Sequence, residues 1–343
     1  MRKITYRDYR ALIENPDTDD TLIEAYSIII KGRNAFDFQI RPNPELVEMG
    51  EHEVELEDAM ATANNISRFR RQWKFKKRVK AGTDLPIIVE EGDSWHQFPI
   101  LIKDIVDQLE DDYLIYSVGA AGDTAENMVF GDIRHRQTEY MLALRKLMSD
   151  GHEVSGFMFS AAGNDIIGED PDGVSALQNI VRDFNGDPDD IVGHINFTEL
   201  ANRIDRLRVA YLKVVATIRS EPGLHKLPIF VHGYDYVFPH PWDQDDRDPI
   251  HAKKNEWLGE PLDCRRIKDL NLRRNIIKFL LDRLYDMLFD MAGDPALTQI
   301  WVIDCRGAMP DVSDWIDEIH GTDKGFAKVA ARFRATMRQA IAH

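Results

Sequence analysis

The sequence predicts an α/β protein whose parallel sheet is covered by helices on both faces, and two patterns predict it. Five short apolar runs rich in β-branched or aromatic residues recur along the chain: Leu85 to Val89, Tyr113 to Val118, Val154 to Ser160, Leu227 to His232 and Gln299 to Asp304. Each run ends in turn residues, and the segments between them space their apolar residues for helices. Strands that alternate with helices fold as a parallel sheet buried on both faces, so a three-layer α/β/α domain with a five-stranded parallel sheet is expected.

The elements follow in order. Residues 1–80 precede the first strand and read as a helical N-terminal extension, without strand alternation. Its end, from Arg68 to Lys80, has eight basic residues among thirteen and no acid, interleaved with Phe69, Trp73 and Phe75. Such a segment suits single-stranded nucleic acid or an anionic membrane surface. The favoured reading is a helix or linker docked on its own acidic domain with the aromatics packed, because the rest of the chain would oppose a polyanion. Residues 81–343 form the α/β domain. After the first strand, Phe98, Ile100, Leu101, Ile102, Ile105, Val106 and Leu109 make one helical face, which places a helix start near Phe98. Between the third and fourth strands lie an acidic loop, Asp183 to Asp190, and an amphipathic helix from about Phe197 to Arg219. Ile276, Ile277, Leu280, Leu281, Leu284, Leu288 and Met291 mark a long helix before the last strand.

Composition narrows the class. Apolar residues make up 43% of the 343, enough for a large core, and the net charge is −16. A surface this acidic repels nucleic acid outside a local basic patch. No run approaches the roughly 18 apolar residues that span a bilayer. The N-terminus has early positive charges with no apolar stretch after them, so no secretory signal is expected and the location expected is cytoplasmic. Cys264 and Cys305 cannot frame a disulfide scaffold.

In such sheets the ligand site lies at the carboxyl ends of the strands. Glu91-Gly92-Asp93-Ser94-Trp95 follows the first strand, and the expected helix puts Ser94 near a helix N-terminus. Gly119-Ala120-Ala121-Gly122-Asp123-Thr124 follows the second, small enough for close backbone approach. Ala161-Ala162-Gly163-Asn164-Asp165 follows the third, and Asp317-Glu318-Ile319-His320 lies beyond the fifth. Each piece alone is an ordinary turn or surface pair. Together, in order at successive strand ends, they supply a nucleophile, backbone donors, an amide donor and an acid–histidine pair.

This set resembles the SGNH hydrolases, also called GDSL-type lipases and esterases. Their blocks are matched at Gly92-Asp93-Ser94, Gly122-Asp123-Thr124, Gly163-Asn164-Asp165 and Asp317-Glu318-Ile319-His320, over roughly residues 85 to 335. Ser117 stands where the second block often begins with asparagine, and Gly321 where proline often follows the histidine. The resemblance implies a flavodoxin-like sheet and a serine-dependent carboxylic ester hydrolase working through an acyl-enzyme. Ser94 would be the nucleophile, His320 the general base and Asp317 the residue that orients it. The oxyanion donors implied are the Ser94 amide, the Gly122 amide and the Asn164 side chain. No metal or organic cofactor is implied.

The loop after the fourth strand, from His232 to Pro239, ends on the same sheet edge. Trp95, Tyr234 and Tyr236 either wall a substrate pocket or pack the core. Other chemistries have less support. No glycine-rich nucleotide loop follows a strand. His52-Glu53 lacks a second histidine at zinc spacing, and His232, His240 and the Asp243 to Asp248 run match no metal pattern, so that run reads as a solvated loop. Cys305 reads as a small buried residue. The competing reading is a binding or effector module in which segment 68–80 docks a partner, nucleic acid or membrane. A flavodoxin-like nucleotide binder is a third. The natural ester, its chain length and the oligomeric state are not legible.

Overall fold

In the computed structural model residues 1–30, 39–50, 63–98, 100, 102–131, 137–169 and 173–342 are described. The first of them, expected to be mostly helical, hold four short strands among their helices. Strands β1 (Ile4–Thr5), β2 (Ser27–Ile30), β3 (Gln39–Pro42) and β4 (Val47–Glu48) lie among helices α1 (Tyr6–Glu14), α2 (Asp20–Ala25) and α3 (Ala63–Lys80). The strands form two two-stranded sheets, β1 with β4 and β2 with β3. Runs of two or four residues are too short to display a period of two, which is why the pattern hides them. Tyr6, Tyr9, Tyr26 and Val47 close a small core of their own there.

The main sheet holds β5 (Ile87–Gly92), β6 (Leu114–Ser117), β7 (Val154–Ser160), β8 (Ile229–His232) and β9 (Ile300–Ile303). All pairings are parallel and the order is β6-β5-β7-β8-β9. The five apolar runs of the sequence are these five strands, each within two or three residues of its expected ends. Every residue of β5, β6 and β8 is buried, as both-sided cover requires. The chain steps from β5 outward to β6 and then back across to β7, so the order reverses beside β5. That reversal opens the crevice where sheets of this kind present ligand-binding loops.

The remaining helices are α4 (Ile105–Leu109), α5 (Glu139–Ser149), α6 (Gly163–Ile167), α7 (Ala176–Ile180), α8 (Phe197–Arg219), α9 (Gly259–Cys264), α10 (Leu270–Gly293) and α11 (Asp323–Ile341). Helices α5, α8 and α10 lie on one face of the sheet and α4 and α11 on the other. Helix α3 packs on β6 beside α4. Among the described residues no helix is long and apolar enough to cross a membrane.

Helix α3 carries the basic segment, and most of its charges pair with acids of the same chain. Arg68 pairs with Glu139, Arg70 with Asp20, Lys74 with Glu110 and Lys77 with Asp17. Arg71 is buried and spans Asp104 at 2.6 Å and Asp107 at 2.8 Å. Phe75 is buried, whereas Phe69 and Trp73 stack on each other half exposed. The helix is therefore docked on its own acidic domain, the second of the two expectations for this segment.

Candidate active site

The loop after β5 carries Ser94, and the local geometry differs from expectation. No helix starts near Phe98 (Pro99 and Leu101 lie outside the described residues), and the next helix begins at Ile105 with Asp104 as its N-cap. Asp104 also accepts from the Phe98 amide at 2.6 Å and from Arg71, so this segment is tied down as irregular backbone before the helix starts. Ser94 thus sits in a single turn, not at a helix N-terminus. The turn is closed by the amides of His96 and Gln97 donating to Asp93 O at 3.0 and 2.9 Å. The Asp93 carboxylate sits beneath it, accepting from the Trp95 amide at 3.1 Å, Ser160 Oγ at 2.9 Å and the Tyr234 hydroxyl. Burial pushes the Asp93 carboxyl up, against the pull of these hydrogen bonds. A Cβ on Gly92 would stand 2.7 Å from His96 Nδ1 and 2.9 Å from Ser160 Cβ, so the turn needs glycine there.

Across 226 residues of chain, Ser94 Oγ lies 2.7 Å from His320 Nε2. His320 Nδ1 donates to Asp317 Oδ2 at 2.7 Å. The other Asp317 oxygen accepts from the amides of Ile319 and His320, both at 2.7 Å. Ser94, Asp317 and His320 are all buried. Burial opposes the charge of Asp317, but His320 and then His251 outweigh it and hold its carboxyl well below the usual range. A carboxylate only accepts, so the His320 proton sits on Nδ1 and Nε2 faces the hydroxyl as acceptor. A serine so placed can lose its proton as it attacks an electrophile.

Asn164 opens α6. Its Nδ2 donates to Asp123 O at 2.8 Å, which ties it to the loop after β6 that carries Gly122. Gly122 has φ +90°, the left-handed region that glycine enters freely. Ala162, just before α6, holds a φ of +108° without being glycine, a strained backbone at the edge of the site. The Gly163 amide donates to the Tyr234 hydroxyl at 2.9 Å, and the Tyr211 hydroxyl donates to Ala161 O at 2.8 Å, which brace that segment.

An apolar cavity is lined by Ser94 and Asn164 at the site and by aliphatic side chains beyond them. Leu200, Ile204 and Leu207 of α8 and Ile277, Leu280, Leu281 and Leu284 of α10 form its walls, and Trp95 and Tyr234 line it too. Both aromatics have their polar atoms engaged, Trp95 Nε1 donating to Ile319 O at 2.9 Å. Gly122 is not among the lining residues, and neither is Tyr236. The Tyr236 hydroxyl instead donates to Asp282 at 2.6 Å, and Lys278 lies over its ring. Tyr236 follows Tyr234 by two residues, but the positive φ of Tyr234 turns the chain between them and sends the two rings to different places.

Three groups at this site have no short-range signal in the sequence. His251 Nε2 lies 2.9 Å from Asp317 Oδ2. Arg247 is buried, held by Asp245, and reaches Asp317 O at 2.6 Å. Asp245 is therefore no member of a solvated loop, although Asp243, Asp246 and Asp248 around it are exposed. Glu318 is buried and accepts from four backbone amides, those of His240, Trp257, Leu258 and Gly259. Cys305 is buried, as expected. His52 and Glu53 lie outside the described residues.

The ligand-capable atoms of His251, Asp317 and His320 lie within 4.8 Å of one another. Their N···O separations of 2.7 and 2.9 Å are those of hydrogen bonds. Ligands around a tetrahedral zinc with bonds near 2.0–2.1 Å stand farther apart, roughly 3.3 Å. The group is an acid shared by two imidazoles.

No family model matches the chain, and no curated protein matches it. Among solved structures it is similar to a family 3 carbohydrate esterase from Clostridium thermocellum, at 14% identity over 76% of this chain and 98% of that one, with a TM-score of 0.37. It is also similar to a carbohydrate acetylesterase family member from Sinorhizobium meliloti, at 11% identity over 76% of this chain and 100% of that one, with a TM-score of 0.39. At these scores the likenesses assign no activity.

Proposed function

We propose that this chain is a serine-dependent carboxylic ester hydrolase of the SGNH type, acting on esters of an apolar acyl chain. The observation that carries the reading is the buried, unbroken relay Ser94–His320–Asp317, at 2.7 Å for each link, at the head of an apolar cavity. Ser94 Oγ attacks the ester carbonyl while His320 Nε2 takes its proton. The tetrahedral oxyanion receives hydrogen bonds from the Ser94 amide, the Gly122 amide and Asn164 Nδ2, donors that matter most once the charge has formed. The intermediate collapses, His320 returns the proton to the alcohol oxygen, and the acyl group remains on Ser94. Water, deprotonated by the same imidazole, then releases the acid and restores the hydroxyl. Asp317 holds His320 in the required tautomer and stabilises the imidazolium in both halves. The acyl chain lies between α8 and α10, where aliphatic side chains offer no partner for sugar hydroxyls.

Hydrolysis of p-nitrophenyl esters from acetyl to palmitoyl, wild type beside Ser94→Ala, tests this. A buried methylene is worth about 0.8 kcal/mol, so kcat/KM is expected to rise about threefold to fourfold per carbon until the cavity is full. Ser94→Ala is expected to abolish turnover at an unchanged melting temperature. Turnover that survives in Ser94→Ala overturns the reading.

A further inference from the structure

Asp317 serves two imidazoles with one oxygen. Its Oδ2 receives His320 Nδ1 at 2.7 Å and His251 Nε2 at 2.9 Å, while its Oδ1 is filled by two backbone amides. Since the carboxylate has no proton to give, both rings are donors, and His251 carries its proton on Nε2. The rings cannot readily turn away. Phe98 stands edge-on to both, with centroids at 5.1 Å from His251 and 4.7 Å from His320, and Trp257 stands edge-on to His320 at 5.4 Å. Resting on the hydrolase reading above, we propose that His251 is a positioning residue for the base: it locks the Asp317 carboxylate in place and takes a share of the charge that would otherwise act on His320 alone.

The consequences have a definite sign. A carboxylate whose charge falls on one ring stabilises that ring's imidazolium more strongly than one divided between two. Without His251, His320 stays protonated to higher pH, and a base that is already protonated cannot activate Ser94. The carboxylate also loses one of the bonds that fix its plane, so the imidazole it orients is held less well. Other ionisable groups among the described residues approach the pair. Arg247 and its partner Asp245 approach from the loop before His251, Glu318 is the next residue after Asp317, and Glu24 of α2 lies on the cleft that His251 also lines. None of them touches Asp317 Oδ2, so the division of charge belongs to His251.

His251→Phe and His251→Gln in the full chain test this. Phenylalanine keeps a ring without a donor. The glutamine amide nitrogen is three bonds from Cβ, as Nε2 is in histidine, and keeps the donor without a titrating ring. For ester hydrolysis, His251→Phe is expected to lower kcat about tenfold with KM unchanged. It is also expected to move the acidic limb of kcat/KM upward by about half a pH unit or more. His251→Gln is expected to restore both. In a Ser94→Ala background, which needs no turnover, the ¹⁵N-detected titration of His320 is expected to move up with His251→Phe and to stay in place with His251→Gln. In the protein with His251 intact, the ring nitrogens of His251 are expected to report an Nε2–H.

A limb and a His320 titration that do not move with His251→Phe overturn the proposal and leave the hydrolase reading standing. Equal loss of kcat in both variants at a fixed limb overturns it too, since bulk rather than the donor would then matter. An Nδ1–H tautomer of His251 overturns it without any variant at 251. Turnover that survives Ser94→Ala overturns the hydrolase reading, and the tautomer and the His320 titration still judge His251.

Discussion

Glu318 offers the sharpest test of how the site is held. Its side chain is buried between Asp317 and the loop that carries His251. Oε1 accepts from the amides of His240 and Gly259, both at 2.7 Å, and Oε2 accepts from those of Trp257 and Leu258 at 2.9 and 2.8 Å. Four buried donors on one carboxylate leave no room for a donor in its place. In Glu318→Gln the amide oxygen can serve one pair of amides, but the NH₂ then faces the other pair. Each buried N–H left without an acceptor costs about 1–3 kcal/mol, so two cost roughly 2–6 kcal/mol. At about 2 °C per kcal/mol for a chain of this size, the middle of that range lowers the melting temperature by roughly 8 °C. Calorimetry reads the total, and amide hydrogen exchange at 257–259 reads the place, since protection should fall there before it falls in β5 or β7. Glu318→Leu, which strands all four amides, should be worse than Glu318→Gln. A Glu318→Gln protein that melts within 2 °C of wild type, with protection at 257–259 intact, refutes the reasoning.

Two further predictions concern catalysis directly. Asn64 on α3 brackets the Ala121 peptide, accepting from Ala121 N and donating to Ala121 O at 3.0 Å each; Asn64→Ala should lower kcat for p-nitrophenyl esters by about tenfold while KM changes less than twofold, because the Gly122 amide that it steadies is proposed to act on the transition state, and an unchanged kcat would sever α3 from the site. Leu280→Trp fills the apolar cavity from α10, so kcat/KM for decanoyl esters should fall by more than about tenfold while acetyl turnover stays within about twofold; equal losses on both would mean the acyl chain lies elsewhere.

The five strands and the four motif blocks were legible for the same reason. A parallel strand buried on both faces must be apolar throughout, so it stands out as a run, and the residues at its end are whatever the site needs. Gly92-Asp93-Ser94 and Asp317 to His320 are local in sequence because one turn has to hold each of them. What was hidden is long-range. His251 reaches Asp317 across 66 residues, and nothing adjacent to either marks the pair. Arg247 and Asp245 sit in a run whose other acids are exposed, so composition reads the run as solvated. The helix expected at Phe98 fails because the Asp104 side chain binds the Phe98 amide, a bond of six residues' reach that no periodicity registers. Tyr236 looked equivalent to Tyr234, and only the left-handed turn at Tyr234 separates them.

The basic helix changes meaning once these contacts are counted together. Read by charge alone, segment 68–80 is a polyanion ligand. In the fold, Arg71 is buried between Asp104 and Asp107 and also donates to His96 O and Gln97 Oε1, at 2.6 and 2.7 Å. Both of those acceptors follow Ser94 by two or three residues. From the same face of the helix, Arg68 donates to Gly119 O and Gln72 to Ser117 O, beside the loop that carries Gly122. The same 18-residue helix thus grips the serine turn with one set of side chains and the small-residue loop after β6 with another. Loss of the buried Arg71 would leave the buried Asp104 carboxylate uncompensated, at about 3–5 kcal/mol. Most of the positive charge of this helix is therefore spent on the chain's own carboxylates and carbonyls, and the turn that carries Ser94 and the loop that carries Gly122 are both held by a segment that precedes the five-stranded sheet.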